Sequence, residues 1–340
     1  MTDILTVTDL HAYYRTGSSR TPRDVRAVDG ISLGIRRNEI YGIAGESSSG
    51  KTSFIKVLAA AMRPPLRVVS GHAVYHFTDG DVDVTSARPA EIEAIRWRRL
   101  SYIMQGSMSV LNPLRRIGRT FEDFGSRPIG LTGSAFRNRV IGHLERLKLN
   151  PAILDAYPHE LSGGMRQRVT IGLATLCNPE FMIADEPTTA LDVVVQKDVL
   201  RLIKDLRREM GSSIIFVTHD MAVHANMADR IGIIYAGRLV EEAPTRTLFA
   251  WPRHPYTAHL IASLPRIGDT SPRPALEGRP PNLSAPPDGC RFHPRCPLAV
   301  DKCRREVPPL ETVGPDQRSA CWRWRDVQPI TTTMAQGETA

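Results

Sequence analysis

Residues 45–52 form a pattern suited to binding phosphate groups. They read Gly-Glu-Ser-Ser-Ser-Gly-Lys-Thr, which fits the spacing G-x-x-x-x-G-K-S/T. Glycines let backbone N–H groups turn towards an anion, and the N-terminus of a following helix adds a partial positive charge. We expect Lys51 to bind the β- and γ-phosphates of a nucleotide and the Thr52 hydroxyl to bind Mg²⁺. The nucleotide contacts of this segment are assigned to Gly45, Ser47, Ser48, Ser49, Gly50, Lys51, Thr52 and Ser53.

A glycine-rich turn that arose by chance would contain similar residues, but the flanking sequence disfavours it. A short apolar run ends at Ile43, as expected for a strand, and residues 51–62 have the composition of a helix. Pro64 and Pro65 then end that helix. A strand, a glycine-rich loop and a helix in this order are the context in which a phosphate loop occurs.

Two adjacent carboxylates, Asp185 and Glu186, follow the apolar run 181–184. Such a run predicts a buried strand, and ligands bind at the carboxyl ends of strands in open α/β sheets. We expect Asp185 to hold Mg²⁺ through water and Glu186 to polarise the attacking water. Taken alone, the pair could equally be two surface carboxylates. Together with the phosphate loop it predicts a nucleotide hydrolase.

Residues 161–168 read Leu-Ser-Gly-Gly-Met-Arg-Gln-Arg, and this segment resembles the signature of the ABC ATPase superfamily. Ser162 also suits the N-cap of a helix, and both interpretations are compatible. The resemblance implies that Ser162, Gly163 and Gly164 face the γ-phosphate of an ATP molecule held by the opposite subunit. It covers about residues 3–250 and implies that the nucleotide is ATP.

Further positions match that family in the same order along the chain. Gln105 resembles the glutamine that senses Mg²⁺ and the attacking water, and residues 190–192 resemble the loop that crosses the dimer interface. His219 resembles the switch histidine that contacts the γ-phosphate. Tyr14, rather than its neighbour Tyr13, resembles the aromatic residue that stacks on adenine. The resemblance thus implies a catalytic set of Glu186, His219 and Gln105, and a Mg²⁺ site of Thr52, Gln105 and Asp185.

Two positions depart from the family pattern. Ser48 stands where the phosphate loop of the family usually has glycine, and Gly106 stands where a polar or acidic residue is common. Neither departure removes a catalytic group, and their effect on turnover stays open.

The segments 254–257, 264–265, 289–297, 308–310 and 107–113 resemble oligopeptide and dipeptide importer ATPases. That resemblance implies an importer with two membrane permease subunits, an extracytoplasmic substrate-binding protein and a second ATPase. The second ATPase is expected to be a paralogue, with a homodimer as the alternative. Oligosaccharide and nickel importers belong to the same subfamily, so the cargo stays open. A soluble ABC ATPase and an exporter are the rival functions, and the importer-like tail disfavours both.

Four of the five cysteines lie near the end of the chain: Cys290, Cys296, Cys303 and Cys321. In a reducing compartment such a group indicates a metal site before it indicates disulfides. Its spacings are wider than the close pairs of structural zinc sites, and four thiolates also suit an iron–sulfur cluster. Some members of the resembled subfamily carry a [4Fe–4S] cluster here. We favour the cluster over zinc, and either over free thiols.

The elements that position these residues predict an α/β fold, because strand-like and helix-like segments alternate. The resemblance implies an ABC-type P-loop ATPase domain over residues 1–253, with a β-rich N-terminal subdomain and a helical subdomain at about 106–178. A small irregular extension with the four cysteines is expected at 254–328, followed by a flexible tail at 329–340. A helix is predicted from Asp192 to Met210, ended by Gly211, and a strand at 213–217.

The composition places the chain outside the membrane. No run approaches the about 20 apolar residues of a membrane-spanning helix, and the first residues lack a signal-peptide pattern. We therefore expect a peripheral protein at the cytoplasmic face of the cell membrane. The formal net charge is +8, but the arginines are scattered without a dense basic tract, so no nucleic-acid partner is expected.

Overall fold

The computed structural model describes residues 2–17, 21–106, 110–264 and 276–329. In chain order the strands are β1 (Asp3–Thr16), β2 (Arg23–Arg36), β3 (Ile40–Ala44), β4 (Leu66–Phe77), β5 (Gly80–Asp83), β6 (Leu100–Ile103), β7 (Phe181–Asp185), β8 (Ser213–Val217), β9 (Arg230–Tyr235), β10 (Arg238–Pro244), β11 (Glu311–Gly314) and β12 (Gln317–Ser319). The helices are α1 (Lys51–Leu58), α2 (Pro89–Ile95), α3 (Ile117–Ile129), α4 (Gly133–Arg146), α5 (Gly163–Thr175), α6 (Val193–Met210), α7 (Met221–Met227), α8 (Thr245–Ala250), α9 (Pro255–Ala262) and α10 (Asp301–Arg305).

Two sheets organise these elements. An antiparallel sheet has the order β2-β1-β4-β5, and an eight-stranded sheet has the order β11-β12-β10-β9-β3-β8-β7-β6. The strands from β9 to β6 in the larger sheet are parallel, and β3, β7 and β8 are buried along their whole length. A parallel strand covered on both faces needs such a continuous apolar run. The carboxyl ends of β3, β7 and β8 therefore meet at one edge.

Three apolar clusters form the core. The first joins the antiparallel sheet to α1 and one face of the larger sheet, and the second joins the opposite face to α3, α4, α5 and α6. The third surrounds β9 and β10 and includes α8, α9 and Phe292 of the C-terminal part. The third cluster thus ties the C-terminal part, the described residues from 254 onward, to the rest of the fold.

The structure confirms several elements predicted from the sequence. Helix α6 begins after Asp192, whose side chain accepts from the backbone N–H of Val194 and Val195, and it ends at Gly211, which has a φ of 65°. The strand predicted at 213–217 is β8. The C-terminal part is less irregular than predicted, because β12 pairs with β10 and β11 pairs with β12. These short strands lack apolar alternation and form by adding to the edge of an existing sheet.

Some sequence predictions fall outside the part of the chain that the structure describes. These are residues 107–109 of the importer-like segment, Pro265, and 330–340 of the expected tail. Among the residues described, no helix combines the length and apolarity needed to cross a bilayer. The predicted domain boundaries stay predictions.

Candidate functional site

The phosphate loop joins β3 to α1 and is shaped by two glycines. Gly45 has a φ of 149°, and a Cβ added to it would lie 2.2 Å from the carbonyl oxygen of Ile234. Gly50 has a φ of 104°, and its added Cβ would lie 2.0 Å from the carbonyl oxygen of Ala27. Any other side chain at either position would require the backbone to move. The backbone N–H of Gly237 donates to the carbonyl oxygen of Ser49 at 2.7 Å and so holds the loop against the turn after β9.

Ser48 shows what its departure from the family pattern means physically. It has a φ of 63°, in the left-handed region that glycine adopts without a steric penalty. A residue with a Cβ pays roughly 1–2 kcal/mol for this conformation. Serine at position 48 therefore leaves the loop conformation unchanged but adds backbone strain.

Lys51 is buried at the start of α1. Its Nζ donates to the carbonyl oxygens of Gly45 at 2.7 Å and Glu46 at 2.8 Å, so it closes the loop upon itself. Burial lowers the pKa of Lys51, while the charges of Glu186, Asp185 and Glu46 oppose that shift. Thr52, the next residue, is exposed. Because Thr52 is exposed, a phosphate group can reach it. The same phosphate can then take the place of the two carbonyl oxygens as the partner of Lys51 Nζ.

Asp185 ends β7 and is almost completely buried. Burial raises its pKa to about 6, the charge of Glu186 adds to this rise, and a hydrogen bond from Tyr102 opposes it. The Tyr102 hydroxyl donates to Asp185 Oδ2 at 3.3 Å. A buried carboxylate with a raised pKa gains from a nearby cation. The sequence analysis did not single out Tyr102, although it lies in the strand just before Gln105.

Three residues predicted to act together do meet in the structure. Glu186 Oε2 accepts from Gln105 Nε2 at 3.2 Å, and Glu186 Oε1 lies 3.3 Å from His219 Nδ1. Glu186 itself has a φ of 48°, and the Thr189 hydroxyl donates to its Oε2 at 2.9 Å. A non-glycine residue in this conformation is often a functional position. The sequence analysis did not single out Thr189, although it lies only three residues after Glu186.

The signature segment begins α5. The Ser162 hydroxyl accepts from the backbone N–H of Met165 at 3.3 Å, which confirms the predicted N-cap. A Cβ added to Gly164 would lie 2.8 Å from Val195 of α6, so these helices approach closely. In the described residues, no hydrogen bond joins Ser162, Gly163 or Gly164 to the phosphate loop of the same chain.

The two neighbouring tyrosines of β1 face different partners. The Tyr14 hydroxyl accepts from Ser53 Oγ at 3.1 Å, which places it beside the first turn of α1. Tyr13 instead donates to the buried carboxylate of Asp29. Alternation along the strand separates the two rings. Tyr14 is therefore the one next to the phosphate-binding helix.

The four C-terminal cysteines line one small cavity together with His293. Burial raises the pKa of Cys290, that of Cys296 to about 11 and that of Cys321 to about 12. The cavity measures only about 10 Å³. Within the part of the chain described, no three His, Cys, Asp or Glu side chains are placed to hold a metal ion. The fold thus gathers the predicted cysteines without forming a ligand set.

A large groove lies between β6, α2 and α3. Its volume is about 690 Å³, and its walls include Met104, Val110 and Phe124. These three side chains are 41–52% exposed, which is unusual for such apolar groups. Met104 directly precedes Gln105. A partner that fills this groove would touch the strand end that carries Gln105.

Comparisons with known proteins agree with this geometry. Residues 28–189 match the family described as "ABC transporter", and residues 240–303 match "Oligopeptide/dipeptide transporter, C-terminal region". The dipeptide transport ATP-binding protein DppD of Caldanaerobacter subterraneus subsp. tengcongensis is 38% identical over 335 residues, covering 97% of this chain and 100% of that protein. The oligopeptide transport ATP-binding protein OppD of Salmonella typhimurium is 36% identical over 323 residues, covering 94% and 93%.

Solved structures show the same fold. A dimeric structure of MJ0796, described as a bacterial ABC transporter cassette, superposes with a TM-score of 0.60 at 25% identity. The match covers 71% of this chain and 99% of that one. A part of this chain thus lies beyond the length of that cassette.

Proposed function

The chain belongs to the ABC transporter ATP-binding proteins of the oligopeptide/dipeptide type, and from this premise we propose how its residues bind and hydrolyse ATP. It is an ATP-binding and ATP-hydrolysing subunit of an ABC importer for dipeptides, oligopeptides or a related solute. Such subunits dimerise and work with membrane permeases.

We assign ATP binding to the phosphate loop and the residues around it. Lys51 binds the β- and γ-phosphates, loop N–H groups from Gly45 to Gly50 surround them, and Tyr14 stacks on adenine. Mg²⁺, when bound, neutralises phosphate charge, and Thr52, Asp185 and Gln105 would hold it. Support comes from the burial of Asp185, whose carboxylate gains most from a cation.

Glu186 polarises the attacking water in this proposal. The observation that carries it is the contact of Gln105, Thr189 and His219 with the Glu186 carboxylate, at the carboxyl end of β7. Gln105 orients the water, and His219 contacts the γ-phosphate. Because His219 is exposed, it can leave Glu186 when a nucleotide binds.

We infer that each site is completed by a second ATPase subunit. Ser162, Gly163 and Gly164 of the opposite subunit would close over the γ-phosphate, since they have no hydrogen bond to the phosphate loop within the described part of their own chain. Val193 and Val194 follow Asp192 and are 80% and 72% exposed, as expected for an apolar surface that a partner covers. The second subunit is proposed to be a paralogue, with a second copy of this chain as the alternative.

The remaining partners follow from the family. We propose an extracytoplasmic substrate-binding protein and two permease subunits, one of which places a short amphipathic helix in the groove lined by Met104, Val110 and Phe124. This arrangement keeps the chain at the cytoplasmic face of the membrane. The groove supports this because its exposed apolar walls suit an apolar helix face.

We propose that Cys290, Cys296, Cys303 and Cys321 hold one metal centre, a [4Fe–4S] cluster in preference to zinc. Support comes from the placement of the four thiols around one cavity. Anaerobically purified protein should then be brown, with about four irons per chain. Colourless protein with one zinc would replace the cluster by a zinc site, and metal-free protein would refute both.

Steady-state ATP hydrolysis by the purified transporter tests the catalytic assignment. Glu186→Gln should retain ATP binding and lower kcat by about 100-fold or more, because the general base is lost. Glu209→Gln, the same substitution on the exposed end of α6, is the matched control and should hydrolyse ATP normally. Normal hydrolysis by the Glu186 variant would refute the assignment.

Mass spectrometry of the co-purified complex tests the partners. Two different ATPase chains together with permeases would support the paralogous pair. A single ATPase polypeptide would favour the homodimer.

A further inference from the structure

The C-terminal part of the chain contacts the phosphate loop through Arg295 and Tyr256. Arg295 lies in the turn His293–Arg295, between Cys290 and Cys296. Its guanidinium group donates two hydrogen bonds to the Glu46 carboxylate. Nη1 lies 2.8 Å from Glu46 Oε2, and Nη2 lies 3.1 Å from Oε1. The Arg295 side chain is only 5% exposed, so this ion pair is shielded from solvent on the arginine side. Paired guanidinium–carboxylate bonds of this kind are strong and directional.

A second contact holds the backbone of the same residue. The Glu46 N–H donates to the Tyr256 hydroxyl at 2.7 Å. Tyr256 is fully buried and packs against Tyr235 and Phe292, with ring centroids 4.6 and 5.5 Å apart. Burial raises the pKa of Tyr256, so its hydroxyl stays protonated. The ring cannot shift without disturbing the third apolar cluster.

These contacts act on the outer side of a loop whose inner side is held by Lys51. Glu46 therefore has its carbonyl oxygen bound to Lys51, its N–H bound to Tyr256 and its carboxylate bound to Arg295. When phosphate draws Lys51 away from the loop carbonyls, the outer contacts are the ones that remain. The partner of the Glu46 carboxylate is 249 residues away in the sequence, which is why its motif position gave no sign of a role.

We propose that Arg295 and Tyr256 are positioning residues for the ATPase reaction, through which the C-terminal part holds the phosphate loop in its phosphate-binding conformation. This inference rests on the proposed assignment of the loop as the ATP site. It adds a dependence of that site on the segment that carries the cysteines. Arg295 and Tyr256 act through Glu46 and do not touch ATP themselves.

The proposal predicts which kinetic constant changes. A loop that is already ordered binds phosphate without a further loss of conformational freedom. Removing Arg295 should therefore raise the KM for ATP and leave kcat nearly unchanged, because Glu186 and Gln105 lie on other elements. A purely structural role of Arg295, as an anchor for the C-terminal part, would lower the Tm without changing the KM.

The test is ATP hydrolysis by the purified transporter as a function of ATP concentration. Arg295→Ala and Glu46→Gln should each raise the KM about tenfold, the effect of losing one charge-assisted pair. The KM of the double variant should be no higher than that of the single variant with the higher KM, since both substitutions remove the same contact. Arg295→Lys should recover part of the affinity, and Tyr256→Phe should raise the KM by a smaller factor.

Asp316→Asn is the matched control. Asp316 Oδ1 pairs with Arg36 at 2.7 Å, so this variant also breaks an ion pair between the C-terminal part and the rest of the chain, but one that involves no residue of the loop. It should leave the KM unchanged. The proposal is overturned if Arg295→Ala hydrolyses ATP with the wild-type KM, or if Asp316→Asn raises the KM equally. The Lys51→Ala variant tests the ATP site separately. Loss of ATP binding in this variant would support the assignment of the loop as the ATP site, and normal ATP binding would refute that assignment.

Discussion

The ATPase part, residues 2–253, and the cysteine part, which is the C-terminal part at residues 254–264 and 276–329, are held together in different ways. The first has three apolar clusters around two sheets. The second contributes Tyr256, Ile261 and Phe292 to the third cluster, with further partly buried apolar residues packed against it, and adds buried polar contacts. Gln317 donates to Glu241 at 3.0 Å, and Arg291 donates to the buried Asp29.

The difference indicates that the cysteine part takes its position from the ATPase part. Buried ion pairs add little net stability because desolvation offsets their attraction, but they specify which groups must meet. A small apolar contribution gives the cysteine part stability, and the polar contacts place Arg295 on Glu46. The two parts therefore should fail in different ways when altered.

The largest effect is expected from Phe292→Ala. This side chain is 1% exposed and contacts Tyr235, Tyr256 and His254. Its removal should lower the free energy of unfolding by about 3–5 kcal/mol, the usual cost of a large aromatic cavity. Chemical denaturation measures this, and proteolysis should cut the cysteine part first. Trp251→Ala, at a site that is 52% exposed, should change stability by less than about 0.5 kcal/mol. Equal effects of the two variants would contradict the comparison.

Lys51→Ala should affect the ATPase part without loosening the cysteine part. The ε-ammonium group is the charge expected on the β- and γ-phosphates, so ATP affinity should fall by about 100-fold, or about 2.7 kcal/mol. Nucleotide titration measures this. Lys197→Ala, at an exposed lysine of α6, is the control and should bind ATP normally. Retention of affinity by the Lys51 variant would place the phosphates elsewhere.

A smaller effect concerns pH. Burial lowers the pKa of His254, at the border of the two parts, to about 3, below its value in the unfolded chain. Its contribution to stability is therefore complete above about pH 6.5 and is lost as the pH falls towards 3, which amounts to about 2 kcal/mol by pH 5. Burial raises the pKa of Glu241 to about 7, and this group titrates with the opposite sign, so the test compares a variant with the wild type.

His254→Asn is suited to that comparison. His254 Nδ1 accepts from the Tyr256 N–H at 3.1 Å, and the asparagine oxygen can take over that role without titrating. Stability measured between pH 7 and pH 5 should fall by about 2 kcal/mol less in the variant than in the wild type. An unchanged pH dependence would show that His254 does not titrate as described.

A feature could be predicted from the sequence when the residues that form it lie close together along the chain. The phosphate loop, α6 with its Asp192 cap, and the carboxylate at the end of β7 are local patterns, and the structure forms each of them. Glu46 and Arg295 are separated by 249 residues, and neither has a local pattern that points to the other. The strands β11 and β12 were missed for a related reason, since they depend on pairing with β10.

The most direct test of the link between the two parts is hydrogen exchange of the Glu46 amide in the nucleotide-free protein. In the wild type this N–H is bonded to the Tyr256 hydroxyl, so its exchange should be slow. Tyr256→Phe and Arg295→Ala should each accelerate it by about tenfold or more, with the amides of β3 unchanged. If both variants leave the Glu46 rate unchanged and only residues 290–297 exchange faster, the cysteine part is merely attached to the ATPase part, and the account is wrong.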